Sequence, residues 1–171
     1  MDYYVFNTDM GWVAVLASKK GLVSTSLPWS TAEGALGEIG GGIGDAVNSP
    51  ERFEDLTKRL KAYFAGQKVF FPDELDLSTA TPFHRKVCQA ARNIPYGETR
   101  SYSWLSAEAG SPKAARAVGQ VMARNRLPII VPCHRVIGSY DIGGFSGGIE
   151  IKKRLLRLEA SALVTISQSA E

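Results

Sequence analysis

The chain has 171 residues, of which 44% are hydrophobic and 22% are charged, as in one globular domain or two small ones. These values exclude a collagen, a coiled coil and a disordered chain. No apolar run approaches the roughly 18 residues that span a bilayer, and the N-terminus lacks the pattern of a signal peptide. We therefore expect an intracellular protein that does not bind membranes.

Charge is distributed unevenly along the chain. Residues 1–80 carry 7 Lys/Arg against 11 Asp/Glu, a net charge of −4, whereas residues 81–171 carry 13 against 6, a net charge of +7. This asymmetry predicts two units, the second of which faces a polyanion. A solvated basic surface is the alternative that the charges alone leave open.

Cysteine is too scarce for a disulfide framework, and a zinc centre would need every cysteine and histidine of the chain. The chain has two of each, at Cys88, Cys133, His84 and His134. Adjacent residues rarely point at one metal, which counts against a site built on Cys133 and His134. We expect no metal.

The first half of the chain is predicted to be a small α/β unit. Three β-rich runs separated by turn signals predict an antiparallel meander at 3–6, 12–16 and 22–27. Six glycines within residues 34–44 predict a flexible surface loop that begins with a frayed helix, and no Lys-Ser/Thr follows them to make a phosphate-binding loop. Ser49 as N-cap and Pro50 predict a helix that ends at Gly66, and residues 68–71 predict one more strand.

The second half is predicted to be mostly helical. We expect a first domain at 1–75, a linker at 76–82, a second domain at 83–163 and a disordered polar tail at 164–171. Helices are predicted over 83–91, over 104–108 and from Ser111 to about Arg124. Two helices joined by a tight turn with glycine are typical of a helix-turn-helix.

The last of these helices carries a basic stripe. At about 100° per residue, the polar side chains fall within one sector about 80° wide: Lys113, Arg116, Gln120 and Arg124. Ala114 and Ala115 keep neighbouring surface small, which suits close approach to DNA. An ordinary surface helix explains the small residues almost as well.

The sharpest chemical feature is a Cys133-His134 pair after an apolar run and Pro132. A reactive cysteine needs a base or a positive charge, and both His134 and Arg135 lie beside it. Adjacent residues on a strand point to opposite faces, so a bridging water would carry the proton between the pair. A buried structural cysteine is the alternative.

A second chemical feature is Glu159, which falls between Leu155 and Leu156 on the apolar stripe of a helix predicted over about 149–160. A carboxylate there is costly unless it is paired. With His134 it would form a relay for the thiol proton, whereas with Lys152 it would form a structural ion pair. The glycine-rich residues 143–148 predict either a pocket wall with exposed N–H groups or a plain connector.

Together these motifs resemble the O6-alkylguanine-DNA alkyltransferases, the family of methylated-DNA–protein-cysteine methyltransferases. The resemblance covers residues 81–160 nearly without gaps, whereas over 1–75 it is architectural only. The matching motifs are Ile94-Pro95-Tyr96-Gly97-Glu98-Thr99, Ser101-Tyr102, Lys113-Ala114-Ala115-Arg116-Ala117-Val118-Gly119, Asn125 with Pro128, Pro132-Cys133-His134-Arg135-Val136, Phe145-Ser146-Gly147-Gly148, and Lys152 with Leu155-Leu156 and Glu159.

The resemblance implies an α+β fold, with a small ribonuclease-H-like α/β N-terminal domain followed by a winged-helix (helix-turn-helix) C-terminal domain. It implies a monomeric direct-reversal repair protein in the cytoplasm or nucleoid, or in the nucleus of a eukaryote. Such a protein binds double-stranded DNA through the minor groove and flips out O6-alkylguanine, or O4-alkylthymine. It transfers the alkyl group irreversibly to its own cysteine in a single turnover, without a cofactor.

The resemblance also implies roles for single residues. Cys133 is the alkyl acceptor, His134 (through a water) and Glu159 form the relay, Tyr102 protonates the leaving guanine beside the DNA backbone, and Asn125 braces the turn beside the cysteine. Arg116 enters the base stack. The remaining DNA-binding residues are Lys113, Ala114, Ala115, Gln120 and Arg124, and the residues of the base pocket are Pro128, Val136, Phe145 and Ser146.

Some residues depart from the family pattern. Cys88 replaces a frequent large aromatic, and Tyr140 and Asp141 replace a more usual Asn-Gly turn before the glycine-rich loop. Three other functions are weighed: a non-catalytic lesion-binding alkyltransferase-like protein, a Cys-His hydrolase and a transcription regulator. The presence of Cys133 disfavours the first, the basic stripe disfavours the second, and Glu159 on an apolar stripe disfavours the third.

Overall fold

The computed structural model describes the backbone of residues 1–169 and the side chains of residues 1–41 and 43–164. The chain divides into two compact units, Met1–Asp76 and Leu77–Glu171. Strands and helices occur in both units, so the fold belongs to the mixed α+β class. Within the described part of the chain, no helix combines the length and the hydropathy that crossing a membrane requires.

The first unit is built on a four-stranded sheet in the order β3-β2-β1-β4. Its strands are β1 (Asp2–Thr8), β2 (Gly11–Ser18), β3 (Gly21–Thr25) and β4 (Val47–Asn48). The first three pair antiparallel, which confirms the predicted meander, and the short β4 pairs parallel to β1. β2 is the inner strand that carries the apolar run Val13-Ala14-Val15-Leu16, and all four of these residues are buried.

Three details of the first unit differ from the prediction. The glycine-rich segment holds a regular helix, α1 (Ala32–Ile39), because the Thr31 side chain accepts from Gly34 N and caps it. The next helix, α2 (Glu54–Phe64), follows a 3₁₀ turn at Pro50–Phe53. The Ser49 hydroxyl donates to Asp2 Oδ1 at 2.8 Å and does not cap that turn.

The strand predicted at 68–71 is absent from the structure. This segment is extended but does not join the sheet; the nearest pairing is a single parallel bridge between Leu22 and Leu75. Phe71 is buried against Tyr63 with ring centroids 6.1 Å apart, whereas Phe70 is exposed. Phe71 is therefore buried by packing on α2, and the segment forms no ladder of hydrogen bonds with the sheet.

The second unit is mostly helical. Its helices are α3 (Pro82–Arg92), α4 (Tyr102–Glu108), α5 (Ala115–Ala123) and α6 (Ile149–Ser169). The Thr81 and Ser101 side chains cap α3 and α4 by accepting from His84 N and Trp104 N. Two short parallel strands, β5 (Arg100–Ser101) and β6 (Val136–Ile137), join the start of α4 to the segment after Cys133.

The turn between α4 and α5 is longer than predicted, because α5 begins at Ala115 and not at Ser111. The hydroxyl of the buried Ser106 donates to Ser111 O and accepts from Ala114 N at 3.0 Å. These bonds hold residues 111–114 in turns and leave Lys113 outside the helix. Arg124 is the C-cap residue of α5.

The apolar run before Cys133 is a turn and not a strand. Ile129 has a φ of 73°, a left-handed conformation that a β-branched residue rarely adopts. The 3₁₀ turn Cys133–Arg135 follows. The expectation that Cys133 and His134 point to opposite faces of a strand is therefore wrong.

α6 extends further than predicted, and the disordered tail expected from residue 164 is helical as far as Ser169. Ala162 is buried, and the Leu163 side chain lies on Gly97, so packing continues past the predicted end. The last two residues of the expected tail, 170 and 171, lie outside the described residues.

Candidate active site

Cys133 lies at the start of its 3₁₀ turn and is 4% exposed. Asn125 Nδ2 donates to Cys133 Sγ at 3.1 Å and to Val131 O at 2.9 Å, and Asn125 Oδ1 accepts from Leu127 N at 3.0 Å. One amide side chain thus binds both ends of the strained turn and the thiol. Asparagine suits this position because its short side chain carries both a donor and an acceptor.

His134 and Glu159 form a buried pair. His134 Nε2 lies 2.6 Å from Glu159 Oε1, and both side chains are fully buried. Of the two partners predicted for Glu159, His134 is the one in contact with it. Lys152 lies elsewhere, since its Nζ donates to Val136 O at 2.6 Å and to Gly144 O at 3.1 Å.

Two further donors on Glu159 are not predicted by the sequence pattern. Arg135 Nε lies 3.0 Å from Oε2, and Gly97 N donates to Oε2 at 2.9 Å. Arg135 Nη1 also donates to Ile94 O at 2.8 Å. The sequence places the charge of Arg135 beside Cys133, but the pairing of Arg135 with Glu159 depends on the 3₁₀ turn, which the sequence pattern does not reveal.

These contacts set the charge states of the site. Burial opposes ionisation of Glu159, but His134 and Arg135 outweigh it and lower the pKa of Glu159 to about 2. Burial lowers the pKa of His134, and the same cause raises the pKa of the Cys133 thiol. At rest the site therefore holds a carboxylate, a neutral imidazole and a neutral thiol.

Cys133 opens onto a cavity of about 470 Å³. The lining residues are Tyr102, Gly119, Met122, Ala123, Cys133, Gly144, Phe145 and Ser146. Phe145 and Ser146 were predicted as pocket residues, whereas Gly119, Met122 and Ala123 were not. Their place on α5, at the spacing i, i+3 and i+4, is the signal that could have identified them.

Two predicted pocket residues, Pro128 and Val136, do not line this cavity. Both are buried. Val136 pairs with Arg100 in the β5–β6 ladder, and its carbonyl accepts from Lys152. Its side chain therefore belongs to the packing of this unit, and Pro128 belongs to the turn before Cys133.

Tyr102 reaches the cavity from the start of α4. A Cβ placed on Gly119 would lie 3.9 Å from the Tyr102 ring, and one placed on Gly143 would lie 3.0 Å from the Tyr102 hydroxyl. Because these two glycines have no side chains, the Tyr102 ring has room beside them. Burial, with the nearby Cys133 and Asp141, raises the pKa of Tyr102 above its ordinary value of 10.0, so the hydroxyl keeps its proton.

The residues of the predicted basic stripe are divided among three places. Arg116 and Gln120 are exposed on α5, Lys113 precedes the helix, and Arg124 ends it. Ala114 and Ala115, at the start of the helix, are half-buried. Among the residues whose side chains are described, no acidic group pairs with Lys113, Arg116 or Arg124.

The described residues contain no group of three or more His, Cys, Asp or Glu side chains that could hold a metal ion.

Comparison with known proteins identifies the family. A sequence model described as the DNA-binding domain of 6-O-methylguanine DNA methyltransferase matches residues 82–161. The methylated-DNA–protein-cysteine methyltransferase of Mycobacterium leprae is 49% identical over 114 residues, which cover 66% of this chain and 68% of that protein. The protein of the same name from Methanosarcina acetivorans is 45% identical over 116 residues, covering 67% and 74%.

Solved structures agree over nearly the whole chain. Mycobacterium tuberculosis OGT in complex with DNA matches with a TM-score of 0.79 and 36% identity, covering 95% of this chain and 94% of that one. The O6-methylguanine-DNA methyltransferase of Pyrococcus kodakaraensis matches with a TM-score of 0.70 and 28% identity, covering 92% and 98%. The chain belongs to the methylated-DNA–protein-cysteine methyltransferase family.

Proposed function

We propose that this protein repairs DNA by transferring the alkyl group of O6-alkylguanine irreversibly to its own Cys133. The observation that carries the proposal is a cysteine that opens onto a cavity and precedes a buried His134–Glu159 pair. The names of the relatives supply the substrate class, methylated DNA, and the acceptor class, a protein cysteine.

The thiol proton leaves toward the imidazole during the transfer. Glu159 engages Nε2 of His134, so the neutral ring carries its proton there and Nδ1 takes the thiol proton through a water. Because burial raises the pKa of Cys133, the thiolate forms as the alkyl carbon is attacked and is not populated beforehand. Glu159 stabilises the imidazolium that results.

The reaction is a displacement at the alkyl carbon. A bond forms from Cys133 Sγ to this carbon as its bond to O6 breaks, and the electron pair remains on the guanine. Tyr102, which lines the cavity, donates a proton to the departing base. The thioether product is stable, so Cys133 is not regenerated and each protein molecule acts once.

The base must leave the helix before it can react. The O6 atom of a paired guanine lies within the base stack, so the nucleotide is flipped into the pocket beside Phe145 and Ser146. Arg116, exposed on α5, fills the gap in the stack. Lys113, Gln120 and Arg124 contact the phosphates from the minor groove, and the half-buried Ala114 and Ala115 allow α5 to approach closely.

The finer architecture and setting belong to the same proposal. The sheet order β3-β2-β1-β4 with helices supports a ribonuclease-H-like domain at 1–75. The α4–turn–α5 arrangement supports a winged-helix domain at 83–163, after a linker at 76–82. We infer a monomer that acts on O6-alkylguanine and O4-alkylthymine in double-stranded DNA, in the compartment that holds the genome: cytoplasm or nucleoid, or a nucleus.

Intact-mass measurement after mixing the protein with a duplex that carries one O6-methylguanine tests this function. We expect a gain of one methyl group, on the peptide that contains Cys133, with uptake ending at one per protein. Cys133→Ala should abolish uptake and retain DNA binding. Cys88→Ala is the matched control, because Cys88 is buried in α3 and does not line the cavity.

Other outcomes select the alternatives. Tight binding of the duplex without any gain in mass would indicate a non-catalytic lesion-binding protein. Repair of more than one lesion per protein would indicate a hydrolase. Alkylation of the Cys133→Ala variant would show that the acceptor is another residue.

A further inference from the structure

The loop between β6 and α6 is closed on itself by Asp141. Asp141 Oδ1 accepts from Gly143 N at 2.8 Å. The carboxylate also packs directly on Gly138, where a Cβ would collide with Oδ1 and would lie 3.3 Å from Asp141 O. Asp141 thus joins the two ends of a six-residue segment, 138–143, although the residue itself is exposed.

Both sides of this loop are anchored by Lys152. The fully buried Lys152 Nζ donates to Val136 O, before the loop, and to Gly144 O, after Gly143. A buried ammonium satisfied by two carbonyls fixes where the loop leaves and rejoins the core. Lys152 therefore sets the position of the loop, and Asp141 sets its shape.

The loop shaped in this way meets Tyr102. Gly143 has a φ of 72°, and a Cβ at this residue would lie 3.0 Å from both the hydroxyl and Cε2 of Tyr102. The Gly143 backbone therefore forms the wall against the phenol end of the ring. The residue that holds Gly143 N in place is Asp141.

We propose that Asp141 is a positioning residue, which fixes the Tyr102 hydroxyl at the pocket by holding Gly143 against it. The inference rests on the proposed function, in which Tyr102 gives a proton to the departing base. Proton transfer is sensitive to small displacements of the donor, so release of Gly143 slows transfer even though Asp141 does not touch the base.

The charge of Asp141 also acts on the Tyr102 hydroxyl. The groups that act on the Tyr102 hydroxyl are Cys133, on the 3₁₀ turn, and Asp141, on the loop, and with burial both raise its pKa. Lys152, on α6, faces Cys133 and Asp141 in turn. A carboxylate beside the phenol favours its protonated form, so the position of its titration reports how close Asp141 lies to the hydroxyl.

A double-mutant cycle tests the inference. The rate of alkyl transfer from a duplex with one O6-methylguanine is measured for Asp141→Ala, Tyr102→Phe and the double variant. We expect Tyr102→Phe to slow transfer about 100-fold and Asp141→Ala about tenfold. We expect the double variant to be no slower than Tyr102→Phe alone, because Asp141 acts through Tyr102. Asp45→Asn, an exposed aspartate in the first unit, is the control and should match the wild type.

A second variant separates the hydrogen bond from the charge. Asp141→Asn keeps an acceptor for Gly143 N, so transfer should stay within about twofold of the wild type. Loss of the charge should make Tyr102 ionise at lower pH than in the wild type, seen as earlier tyrosinate absorbance in an alkaline titration. That difference should vanish when Tyr102→Phe is added.

Either of two results would overturn the inference. One is an equal slowing by Asp141→Ala in the presence and absence of Tyr102. The other is an unchanged tyrosinate titration in Asp141→Asn. Failure of the proposed function is distinguishable, since the wild type and Asp45→Asn would then take up no methyl group while the titration still reports on Asp141 and Tyr102.

Discussion

At the level of single residues, the Glu159 carboxylate connects an imidazole, a guanidinium and a backbone amide. These groups belong to His134, Arg135 and Gly97, and Glu159 lies on a stripe where a lone charge would be costly. Each partner satisfies part of the buried charge. The residue therefore stabilises the fold and the proposed relay at once.

Replacement of Glu159 by Gln should affect both properties. Without the carboxylate, the imidazolium is less stable, so the apparent pKa of the Cys133 thiol rises and its alkylation profile shifts to higher pH. Arg135 is left as a buried cation without its partner, which should cost about 3 kcal/mol of unfolding free energy or more. Thiol labelling against pH and chemical denaturation measure the two effects.

Glu150→Gln is the matched control for this variant. Glu150 lies on the same helix, but its side chain is 80% exposed and pairs only with Lys153 among the described residues. Its loss should change the unfolding free energy by less than about 1 kcal/mol. An unchanged thiol profile in Glu159→Gln would mean that Glu159 is structural only.

At the level of elements, α5 combines two surfaces with different tasks. Gly119, Met122 and Ala123 line the cavity, whereas Arg116 and Gln120 are exposed. Nine residues thus present a pocket wall and a cationic surface on one rigid helix. In the proposed function, one helix would therefore contact both the flipped base in the pocket and the DNA duplex from which that base came.

Arg116→Ala separates these tasks. Loss of the side chain that we propose fills the gap in the stack should slow transfer from duplex DNA by about tenfold or more, because flipping costs a few kcal/mol. Reaction with a free alkylguanine base should stay within about twofold, since no stack has to be opened. Arg157→Ala, an exposed arginine on α6, is the control. Equal losses on both substrates would contradict a role in flipping.

The sequence predicts elements and pairings that depend on local pattern, and it misses those that depend on turns. The meander follows from β-rich runs. A carboxylate on an apolar stripe predicts that Glu159 has a buried partner but leaves His134 and Lys152 open, and the structure shows that His134 is in contact. The place of Arg135 depends on a 3₁₀ turn. The false strand at 68–71 shows that an apolar run can be buried through packing on a helix instead of pairing in a sheet.

At the level of the whole molecule, buried groups that titrate set the pH range in which the fold is stable. The pKa of His134 is lowered in the folded chain. Below pH 6.5, the ordinary pKa of histidine, the unfolded chain therefore binds a proton that the folded chain does not bind. Cys88 has its pKa raised from 9.0 to about 11 by burial, so the folded thiol keeps a proton that the unfolded one loses. The free energy of unfolding therefore falls at acid pH because of His134 and at alkaline pH because of Cys88.

Chemical denaturation across pH should therefore show an unfolding free energy that decreases below pH 6.5 and again above pH 9.0. Cys88→Ala should flatten the alkaline decline by about 3 kcal/mol and leave the acid decline unchanged. Cys133 contributes to the same alkaline limb, so some decline persists in this variant. An alkaline limb identical to that of the wild type would mean that the Cys88 thiol titrates normally.

The last turns of α6 determine how far the chain can be shortened from its C-terminus. Leu163, one turn beyond Glu159, lies on Gly97, whose amide binds Glu159. A chain cut after Ser161 would keep every residue of the proposed relay. It would nevertheless admit water to the Glu159 carboxylate, which is fully buried in the intact chain. The smallest active fragment must therefore include Leu163, an apolar residue that takes no part in the proposed reaction.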